Sequence, residues 1–435
     1  MESKLAIQNP WWAEKSNIYG DEKVKEALSR KHKLLYDFEE GNFLIVGPRQ
    51  VGKTTYLKLL TEGLLKRVDP RSVLYFACDL LKDKDEIVGV IESFDSISPK
   101  ASHIFLDEVT FVDEWERAIK FILDSPISRG KHIYVTGSSS IGLKKERFPG
   151  RRIRVKEFLP LSFRGFCELF GGDELRRALK GLRVRELRAG KIFEFGKGLV
   201  PFLPEIKRLF RSYLECGGYP RACFEFMEEG GIREETYRAC FDAVVFDMTK
   251  LGRSEKTCSS ILLGVLRRYG SKFSLNSLAK EMEIGSHLTV RDYLELMEGL
   301  YVVRSYHQLD PSRGVVLFRK ERKVYYTDPF LCRVFSRYLH SDVPEPAIVE
   351  GLVGEHLRRT YGEVHLLAGG REVDFVVGGT GVEVKWQERV DARDFPRVGL
   401  RDKILLCKEG LKFIEERNLT IIPAPIFLLG LHGKA

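Results

Sequence analysis

The chain has 435 residues, of which 43% are apolar and 31% charged, and its formal net charge at pH 7 is +9. This apolar content is enough for several cores and excludes a disordered or collagen-like chain. No apolar run approaches the roughly 18 residues that cross a bilayer, and the N-terminus lacks the basic and apolar regions of a signal peptide. We therefore expect a soluble, cytoplasmic protein with no membrane contact, folded into about two to four domains.

The rarer residue types carry two further indications. None of the eight cysteines forms a CxxC pair, and no histidine stands at zinc-ligand spacing beside a cysteine pair. This pattern predicts buried free thiols rather than a zinc site. The chain contains five Asn and four Gln. Such depletion of thermolabile amides is typical of hyperthermophiles and predicts a thermophilic source.

Basic residues cluster in two runs, at 144–154 and 176–191, which hold six and seven basic residues and one acid each. Charge runs of this kind are found on solvated surfaces and also where a protein contacts the phosphates of a nucleic acid. The sequence leaves both interpretations open.

The most specific motif begins at Gly47 and matches the pattern G-x-x-x-x-G-K-[ST]. It follows a short apolar strand at 43–46 and precedes a helical pattern at 54–66, which is the setting of a phosphate-binding P-loop. Its glycines let backbone N–H groups close around phosphate oxygens, and the helix N-terminus adds its positive dipole. We expect Lys53 to reach the β- and γ-phosphates and the Thr54 hydroxyl to bind Mg²⁺. The predicted nucleotide-binding residues of the loop are Gly47, Pro48, Arg49, Gln50, Val51, Gly52, Lys53, Thr54 and Thr55.

A second motif, at 103–109, is an apolar strand that ends in Asp107 and Glu108. An acidic pair at the end of a strand is weak evidence alone, but it becomes strong when it follows a P-loop. In this context Asp107 is predicted to hold Mg²⁺, directly or through water, and Glu108 to polarise the attacking water.

Five predicted strands alternate with helical patterns in the first 160 residues. This alternation predicts an α/β fold with a parallel sheet covered on both faces. The polar motif residues fall at the carboxyl ends of the strands, where open α/β sheets bind ligands. The predicted strands lie at 43–46, 72–79, 103–109, 131–139 and 151–158.

Together with NPWW at 9–12 and FPGRRIRVKEFLPLSFRGF at 148–166, these motifs resemble the archaeal and bacterial AAA-type P-loop ATPases of the additional-strand class. The resemblance implies ATP rather than GTP as the nucleotide, and no guanine-reading NKxD motif is present. It also implies that Thr136 or Ser138 is the polar sensor residue, between the phosphate and acidic motifs. Arg151 matches the family's arginine-finger position, although it is equally explained as one more arginine of a basic loop.

The second half begins with LECGGYPRA (214–222) and a helical stretch that look like the C-terminal region accompanying this ATPase family. Residues 258–330 then show the order of a winged helix: three helical patterns, the third with Val290, Tyr293, Leu294 and Met297 inward, and two wing strands. The acids of the third helix, Asp292, Glu295 and Glu298, oppose contact with DNA phosphates. We therefore expect the wing residues Arg304, Arg313 and Arg319 to contact DNA, with protein binding as the alternative for this element.

Two strands at 369–386 flank a glycine-rich turn. If Val377 pairs with Val382, Asp374 lies opposite Lys385 and on the same face as Glu383. Asp and Glu-x-Lys on adjacent strands resemble the PD-(D/E)xK nuclease core. The resemblance implies that Asp374 and Glu383 hold a second Mg²⁺ or Mn²⁺ and that Lys385 assists catalysis.

This nuclease superfamily usually adds a helical glutamate, for which two candidates exist. Glu350 borders the apolar stripe of the predicted helix at 348–359 and matches the family's position. Glu355 points away from that stripe and can pair with Arg358 and Arg359. We choose Glu350 as the further metal ligand. The alternatives are a structural hairpin or a nuclease-like fold retained for binding.

The sequence thus predicts a Mg²⁺-dependent ATPase coupled to DNA binding or processing, with a possible C-terminal nuclease and homo-oligomer. The alternative is a nucleotide-controlled switch whose C-terminal half binds nucleic acid or protein without catalysis. The predicted domains are a P-loop ATPase at 1–160, a helical lid at 161–255, a winged helix at 256–338 and a nuclease-like domain at 339–435.

Overall fold

The computed structural model describes residues 2–34, 38–98, 100–139, 152–184, 186–367 and 372–431. The chain divides into two compact units, residues 1–159 and 160–435. All eight cysteines are free and buried, as their spacing predicted. Within the described ranges no helix combines the length and the apolar character needed to span a membrane.

The described residues of the N-terminal unit form five α-helices and five strands. Its helices are α1 (Glu2–Gln8), α2 (Glu22–Ser29), α3 (Lys53–Leu65), α4 (Lys84–Ile97) and α5 (Trp115–Asp124). Its strands are β1 (Phe43–Val46), β2 (Val73–Ala77), β3 (His103–Asp107), β4 (His132–Gly137) and β5 (Arg154–Glu157).

The five strands form one parallel sheet in the order β2-β3-β4-β1-β5. Alternate residues of each central strand enter different cores: Leu44 and Val46 belong to one apolar cluster, Phe43 and Ile45 to the other. Helices α4 and α5 contribute to the first cluster and helices α2 and α3 to the second. Both faces of the sheet are therefore covered, which explains why β1 to β4 are mostly apolar and buried and confirms the predicted parallel α/β sheet.

The N-terminal segment closes the edge of this sheet along β2. Asn9 is fully buried, and its amide donates to the Tyr75 carbonyl at 2.9 Å and accepts from the Tyr75 N–H at 2.7 Å. The Gln8 side chain accepts from the Ala77 N–H at 2.8 Å, and the Trp12 indole donates to the Val73 carbonyl at 2.9 Å. These side chains take the place of a further strand and satisfy the backbone groups that an edge strand leaves exposed. Asn9 and Trp12 of the NPWW sequence thus stabilise the edge of the sheet.

The second unit is richer in helices, and its described residues form three sheets. Its helices are α6 (Phe163–Phe170), α7 (Asp173–Gly181), α8 (Ala189–Lys197), α9 (Leu203–Cys216), α10 (Pro220–Phe224), α11 (Glu234–Lys250), α12 (Glu255–Arg267), α13 (Leu275–Glu281), α14 (His287–Gly299), α15 (Pro329–Leu339), α16 (Glu345–Tyr361) and α17 (Ala424–Gly430). Its strands are β6 (Val303–Tyr306), β7 (Gln308–Asp310), β8 (Val315–Leu317), β9 (Lys323–Tyr326), β10 (Leu366–Leu367), β11 (Phe375–Val377), β12 (Thr380–Val384), β13 (Asp402–Cys407), β14 (Lys412–Ile414) and β15 (Leu419–Pro423).

Three successive helices, α12 to α14, precede the antiparallel pair β6 and β9. Helix α13 is capped by Ser274, whose hydroxyl accepts from the Ser277 N–H. The four residues predicted to face inward on α14 are buried; they are Val290, Tyr293, Leu294 and Met297. Between β6 and β9 lies the short hairpin β7–β8, which joins β10 in a separate three-stranded sheet.

The C-terminal sheet has the order β11-β12-β13-β15-β14, with parallel pairs at its centre and antiparallel strands at both edges. The predicted register of its hairpin is wrong: Val377 pairs with Thr380, and Phe375 with Val382. Gly378 and Gly379 both have positive φ, at 52° and 87°, and form a two-residue turn rather than a longer loop. The shift of two residues leaves every side chain on its predicted face.

We expect the Asn9→Ala substitution to loosen the β2 edge. It removes both partners of the Tyr75 backbone, and a buried polar group left without a partner costs about 1–3 kcal/mol. Hydrogen exchange measured by mass spectrometry should show the β2 amides exchanging about tenfold faster or more. The matched control is Asn17→Ala, because Asn17 is exposed and bonds only within the N-terminal segment, to the Pro10 carbonyl. Unchanged exchange in Asn9→Ala would show that the edge does not depend on this amide.

Candidate functional site

The loop between β1 and α3 is shaped by two glycines. A Cβ atom on Gly47 would lie 1.9 Å from the Phe158 carbonyl oxygen, so only glycine fits where the loop leaves β1. Gly52 caps α3 with φ of 93°, and Gln50 also has a positive φ, at 65°. The loop therefore passes from a buried strand into the N-terminus of a 13-residue helix through a conformation that few side chains tolerate. The N-terminus of such a helix favours bound anions.

Lys53 begins α3 and is buried, with 6% of its surface exposed. Its ammonium donates to the carbonyls of Gly47 and Pro48, at 2.8 Å each. The lysine is thus held across the mouth of its own loop by neutral acceptors. A phosphate oxygen is a stronger partner for an ammonium group than a carbonyl, because both groups are then charged. Thr54 and Thr55 follow in the first helical turn, and both are half-buried.

Asp107 ends β3 and is buried, with both carboxylate oxygens engaged. The Tyr75 hydroxyl donates to Oδ2 at 2.8 Å, and the Thr136 hydroxyl donates to Oδ1. Burial and the neighbouring Asp107 raise the pKa of Tyr75, so the phenol keeps its proton and remains a donor. A carboxylate has about four lone-pair positions, so Asp107 can still serve a metal ion or its water ligands. No local pattern pointed to Tyr75 as a site residue, because it lies on the neighbouring strand β2.

Glu108 stands in the left-handed region, with φ of 58°, and its N–H donates to Thr136 Oγ1 at 2.9 Å. Thr136 therefore joins both acids of the motif from the end of β4. Glu108 Oε2 and Ser138 Oγ are buried at this edge, and neither atom has a hydrogen-bond partner in the described part of the chain. Unsatisfied buried polar atoms are uncommon, and they cluster where a ligand or ion supplies the missing partner.

Strand β4 lies between β1 and β3, so the loop, the two acids and the polar residues meet at one edge of the sheet. Strand β4 also approaches the residues after the acids closely: a Cβ on Gly137 would lie 2.0 Å from the Thr110 methyl group. The Ser138 N–H donates to Thr110 Oγ1 at 3.3 Å. Arg151, the predicted arginine finger, lies outside the described residues.

The predicted C-terminal residues also come together. Asp374 precedes β11 and lies opposite Glu383 in the observed register, not opposite Lys385. The Asp374 N–H donates to Glu383 Oε2 at 3.2 Å, and the Lys385 ammonium lies 2.8 Å from Glu383 Oε1. Both carboxylates are buried.

Lys323 of β9, which sequence analysis did not identify as a site residue, lies between the carboxylates of Glu350 and Asp374. Its ammonium donates to Glu350 Oε1 at 2.6 Å and to Asp374 Oδ1 at 2.9 Å. The Tyr325 hydroxyl donates to the same Glu350 oxygen. The pattern KVYYTDPF indicated only a strand, and contacts across 27 and 51 residues leave no local signal.

The charges of this cluster depend on one another. Burial alone would lower the pKa of Lys323, but Asp374 and Glu350 more than offset it and the pKa is raised, so the ammonium stays charged. Burial, and then Asp374, raise the pKa values of Glu350 and Glu383 above the usual range. Lys323 thus supplies the positive charge that a metal ion would supply. Any metal ion bound here would have to compete with Lys323 and with the protons of Glu350 and Glu383.

Two neighbouring acidic and basic residues differ in part from expectation. Glu355, predicted to point away from the apolar stripe, is 2% exposed, but its predicted ion pair with Arg359 is confirmed at 3.0 Å. Arg304, expected to contact DNA, has 17% of its side chain exposed and pairs with Glu355 at 3.4 Å. Helix α16 packs on both sides, so an apolar stripe alone did not show which acids are buried. Arg313 and Arg319 are exposed, as a DNA contact would require.

Comparison with known proteins supports the N-terminal half of this description. Residues 39–167 match the family described as AAA domain, and residues 207–340 match a domain of unknown function, DUF8612. The first match covers the loop, the two acids and the polar residues of β4. With the parallel sheet of five strands, it supports a P-loop ATPase domain of the AAA type.

Two curated relatives come from Methanocaldococcus jannaschii. Uncharacterized protein MJ1637 is 24% identical over 296 residues, which is 65% of this chain and 59% of the relative. Uncharacterized protein MJ1544 is 22% identical over 276 residues, 60% of this chain and 55% of the relative. The chain therefore spans less than two thirds of the length of both relatives.

Two solved structures show weak likeness. The Orc1 protein of Aeropyrum pernix in complex with DNA gives a TM-score of 0.32 at 14% identity, over 77% of this chain and 92% of that chain. The RuvB Holliday junction branch migration motor of Thermotoga maritima gives 0.27 at 16% identity, over 79% and 94%. Both TM-scores are low, and we draw no conclusion about this chain from either.

We expect the Lys323→Met substitution to increase the affinity of the C-terminal carboxylates for a divalent cation. Without the Lys323 ammonium, the buried carboxylates lack an internal cation and attract another one. Their affinity for the divalent cation should rise by on the order of tenfold or more. Electron paramagnetic resonance of unbound Mn²⁺, with the full chain and no nucleotide, measures this binding.

The matched control is Lys272→Met, because Lys272 pairs with Glu372 at 2.8 Å and does not contact Asp374 or Glu350. Adding Asp374→Asn to the Lys323→Met variant should remove the gain and so locate the ion. Equal Mn²⁺ binding by the wild type and Lys323→Met would contradict the role of Lys323 as internal cation.

Proposed function

We propose that the N-terminal unit binds ATP with Mg²⁺ and hydrolyses it. One observation carries the proposal: adjacent parallel strands bring the loop of Lys53, the acids Asp107 and Glu108, and the polar residues of β4 to one edge. The buried, unpartnered Glu108 Oε2 and Ser138 Oγ, taken among the described residues, are the atoms that a nucleotide and its attacking water would engage.

Each residue of the site has its own role in this proposal. Backbone N–H groups of the loop hold the phosphates, and Lys53 exchanges the Gly47 and Pro48 carbonyls for phosphate oxygens. Thr54 and Asp107 hold Mg²⁺, which when bound neutralises charge on the phosphates. Glu108 orients the attacking water and draws its proton. Thr136 fixes Asp107 and the Glu108 backbone, and it shares with Ser138 the role of sensing the terminal phosphate.

We further propose that ATP hydrolysis is coupled to DNA. The support is the order of three helices, α12–α14, before the antiparallel strands β6 and β9, which agrees with the predicted winged helix. The exposed Arg313 and Arg319 and the net charge of +9 add to it. Basic residues of this kind contact phosphates and give a binding affinity that falls steeply with salt. A homo-oligomer, with Arg151 reaching the nucleotide of a neighbouring copy, belongs to the same proposal.

A second candidate function is metal-dependent DNA cleavage at Asp374, Glu383 and Lys385, with Glu350 as a further ligand. The contact between Asp374 and Glu383 favours it. The position of Lys323 favours the alternative, in which the C-terminal half binds nucleic acid or protein without catalysis and nucleotide acts as a switch. Both alternatives keep the ATP site in the N-terminal unit.

The Glu108→Gln substitution should preserve ATP binding and slow hydrolysis by on the order of a hundredfold or more, because general bases contribute about 10²–10⁴-fold. Calorimetry measures ATP binding and phosphate release measures turnover. Lys53→Ala serves as the comparison that should lose binding as well. Normal turnover in Glu108→Gln would show that another residue orients the attacking water. Duplex DNA should raise the turnover of the wild type, whereas a switch would hydrolyse ATP slowly and without regard to DNA.

The cleavage candidate predicts that wild-type protein cuts linear, branched or single-stranded DNA with Mn²⁺ and that Asp374→Asn does not. ATP hydrolysis should be unchanged, since the two sites lie in different units. Asp342→Asn is the matched control, because Asp342 is an exposed acid of the same unit. Cleavage that persists in Asp374→Asn, or its absence from the wild type, would favour the non-catalytic module.

A further inference from the structure

A cluster of three ligand-bearing side chains lies at the sheet edge opposite the phosphate loop. His103 is the first residue of β3 and His132 the first of β4, and parallel strands begin at the same edge. Glu40 precedes β1 in the chain. One ring nitrogen or carboxylate oxygen from each of the three lies within 4.8 Å of the other two. The proposed ATPase activity has no use for these side chains.

His103 is held in the orientation and tautomer that a metal ligand needs. It is 5% exposed, and its Nδ1 lies 2.8 Å from the Ser102 hydroxyl oxygen. That hydroxyl donates to the Ser72 carbonyl at 3.3 Å, so it accepts the hydrogen bond from the His103 Nδ1–H. The lone pair of the ring is then on Nε2. This atom is buried and has no hydrogen-bond partner in the described ranges.

The charge state of His103 agrees with this arrangement. Burial, and then the neighbouring His132, lower the pKa of His103 to about 4, so its ring is neutral at pH 7. Neutral imidazole is the form that binds metal ions. His132 Nε2 lies 3.7 Å from Glu40 Oε2, which is too long for a hydrogen bond. The two imidazoles, with ring centroids 5.0 Å apart, therefore lie near each other and near a carboxylate.

The backbone that carries Glu40 is fixed to the sheet, but its side chain is 65% exposed. Arg154 Nη2 donates to the Glu40 carbonyl at 3.0 Å, and the Tyr134 hydroxyl donates to the Glu39 carbonyl at 2.8 Å. The nearby cations already have acidic partners: Lys131 pairs with Asp95 at 2.7 Å, and Lys156 with Glu39 at 3.1 Å. Rotation of an exposed side chain can thus bring the Glu40 carboxylate to the histidines without moving the main chain.

We propose that Glu40, His103 and His132 bind one divalent transition-metal ion of the Zn²⁺ class. Two imidazoles and a carboxylate suit Zn²⁺, Co²⁺ or Ni²⁺, whereas Mg²⁺ prefers oxygen ligands throughout. Tetrahedral Zn²⁺ with ligands at about 2.0–2.2 Å places ligand atoms about 3.4 Å apart, so no separation in the cluster must shorten by more than about 1.4 Å. Water takes the fourth position. The ion ties the segment leading into β1 to the starts of β3 and β4.

Such an ion acts on the fold rather than on the nucleotide. It binds the folded unit and not the unfolded chain, so it raises the stability of the N-terminal unit as its concentration exceeds the dissociation constant. The site is at the opposite end of the strands from Lys53 and Glu108. Its occupancy can therefore be measured without nucleotide and independently of ATP hydrolysis.

Co²⁺ titration of the full chain tests the proposal. The protein is first stripped of metal and kept reduced, without nucleotide and with excess Mg²⁺ to occupy oxygen-ligand sites. The wild type should take up one Co²⁺ per chain and show the visible absorption of a four-coordinate nitrogen and oxygen site. The variants His132→Gln and Glu40→Gln should bind at least about tenfold more weakly. The matched control is His287→Gln, because His287 is exposed and lies in the other unit.

Circular dichroism establishes that each variant is folded, and Glu40→Gln changes only an exposed side chain. Zn²⁺ should raise the melting temperature of the wild type and His287→Gln more than that of Glu40→Gln. Three results would overturn the proposal. They are no visible absorption in the wild type, a sulfur-to-cobalt charge-transfer band that assigns the ion to cysteines, and equal affinity in the wild type, His132→Gln and Glu40→Gln.

Discussion

Parallel pairing of β1, β4 and β3 is the constraint on which the N-terminal site depends. Parallel strands end at the same edge, so residues far apart in sequence meet there because of their position along a strand. Val46 is followed by the phosphate loop, Asp107 ends β3 and Thr136 lies near the end of β4. Thr136 bonds to both Asp107 and Glu108, which fixes the relation between neighbouring strand ends. The edge strand β2 contributes Tyr75, and it is closed on its outer side by Asn9.

The second unit is organised around buried charges instead. Lys323 neutralises Glu350 and Asp374, and Glu355 is held between Arg304 and Arg359. A buried charge is costly unless it is paired, and breaking such a pair costs about 3–5 kcal/mol. The internal ion pairs therefore fix the placement of α16 against β9 and β6. The same pairing sets the condition for any chemistry at the C-terminal carboxylates, because a metal ion and Lys323 compete for the same oxygens.

The parts of the fold that could be predicted are those with local signals. The P-loop, the apolar strands and the inward face of α14 each depend on the pattern of residues within one short segment. The hairpin register was mispredicted because both Gly378 and Gly379 take positive φ in a two-residue turn. The face of Asp374 could still be inferred, since side chains alternate with a period of two.

Long-range contacts left no such signal. The burial of Glu355 and its ion pair with Arg304 depend on elements that are separated in sequence. The same is true of the position of Lys323 and of the cluster of Glu40, His103 and His132. A search for zinc-ligand spacing examines residues within one motif, so it does not detect ligands that come from two strands of a sheet and the segment before a third. Spacing rules identify sites built on a turn or a helix, and three-dimensional contacts are needed for sites built across a sheet.

The central claim is that the edge formed by β1, β4 and β3 is a nucleotide site, and a crystal structure with Mg²⁺ and a non-hydrolysable ATP analogue tests it most directly. The account predicts that Lys53 leaves the carbonyls of Gly47 and Pro48 for the phosphates and that Mg²⁺ contacts the Thr54 hydroxyl beside Asp107. It also predicts that Glu108 Oε2 faces the terminal phosphate. A nucleotide bound elsewhere, or Lys53 still bonded to the two carbonyls beside a bound nucleotide, would contradict it.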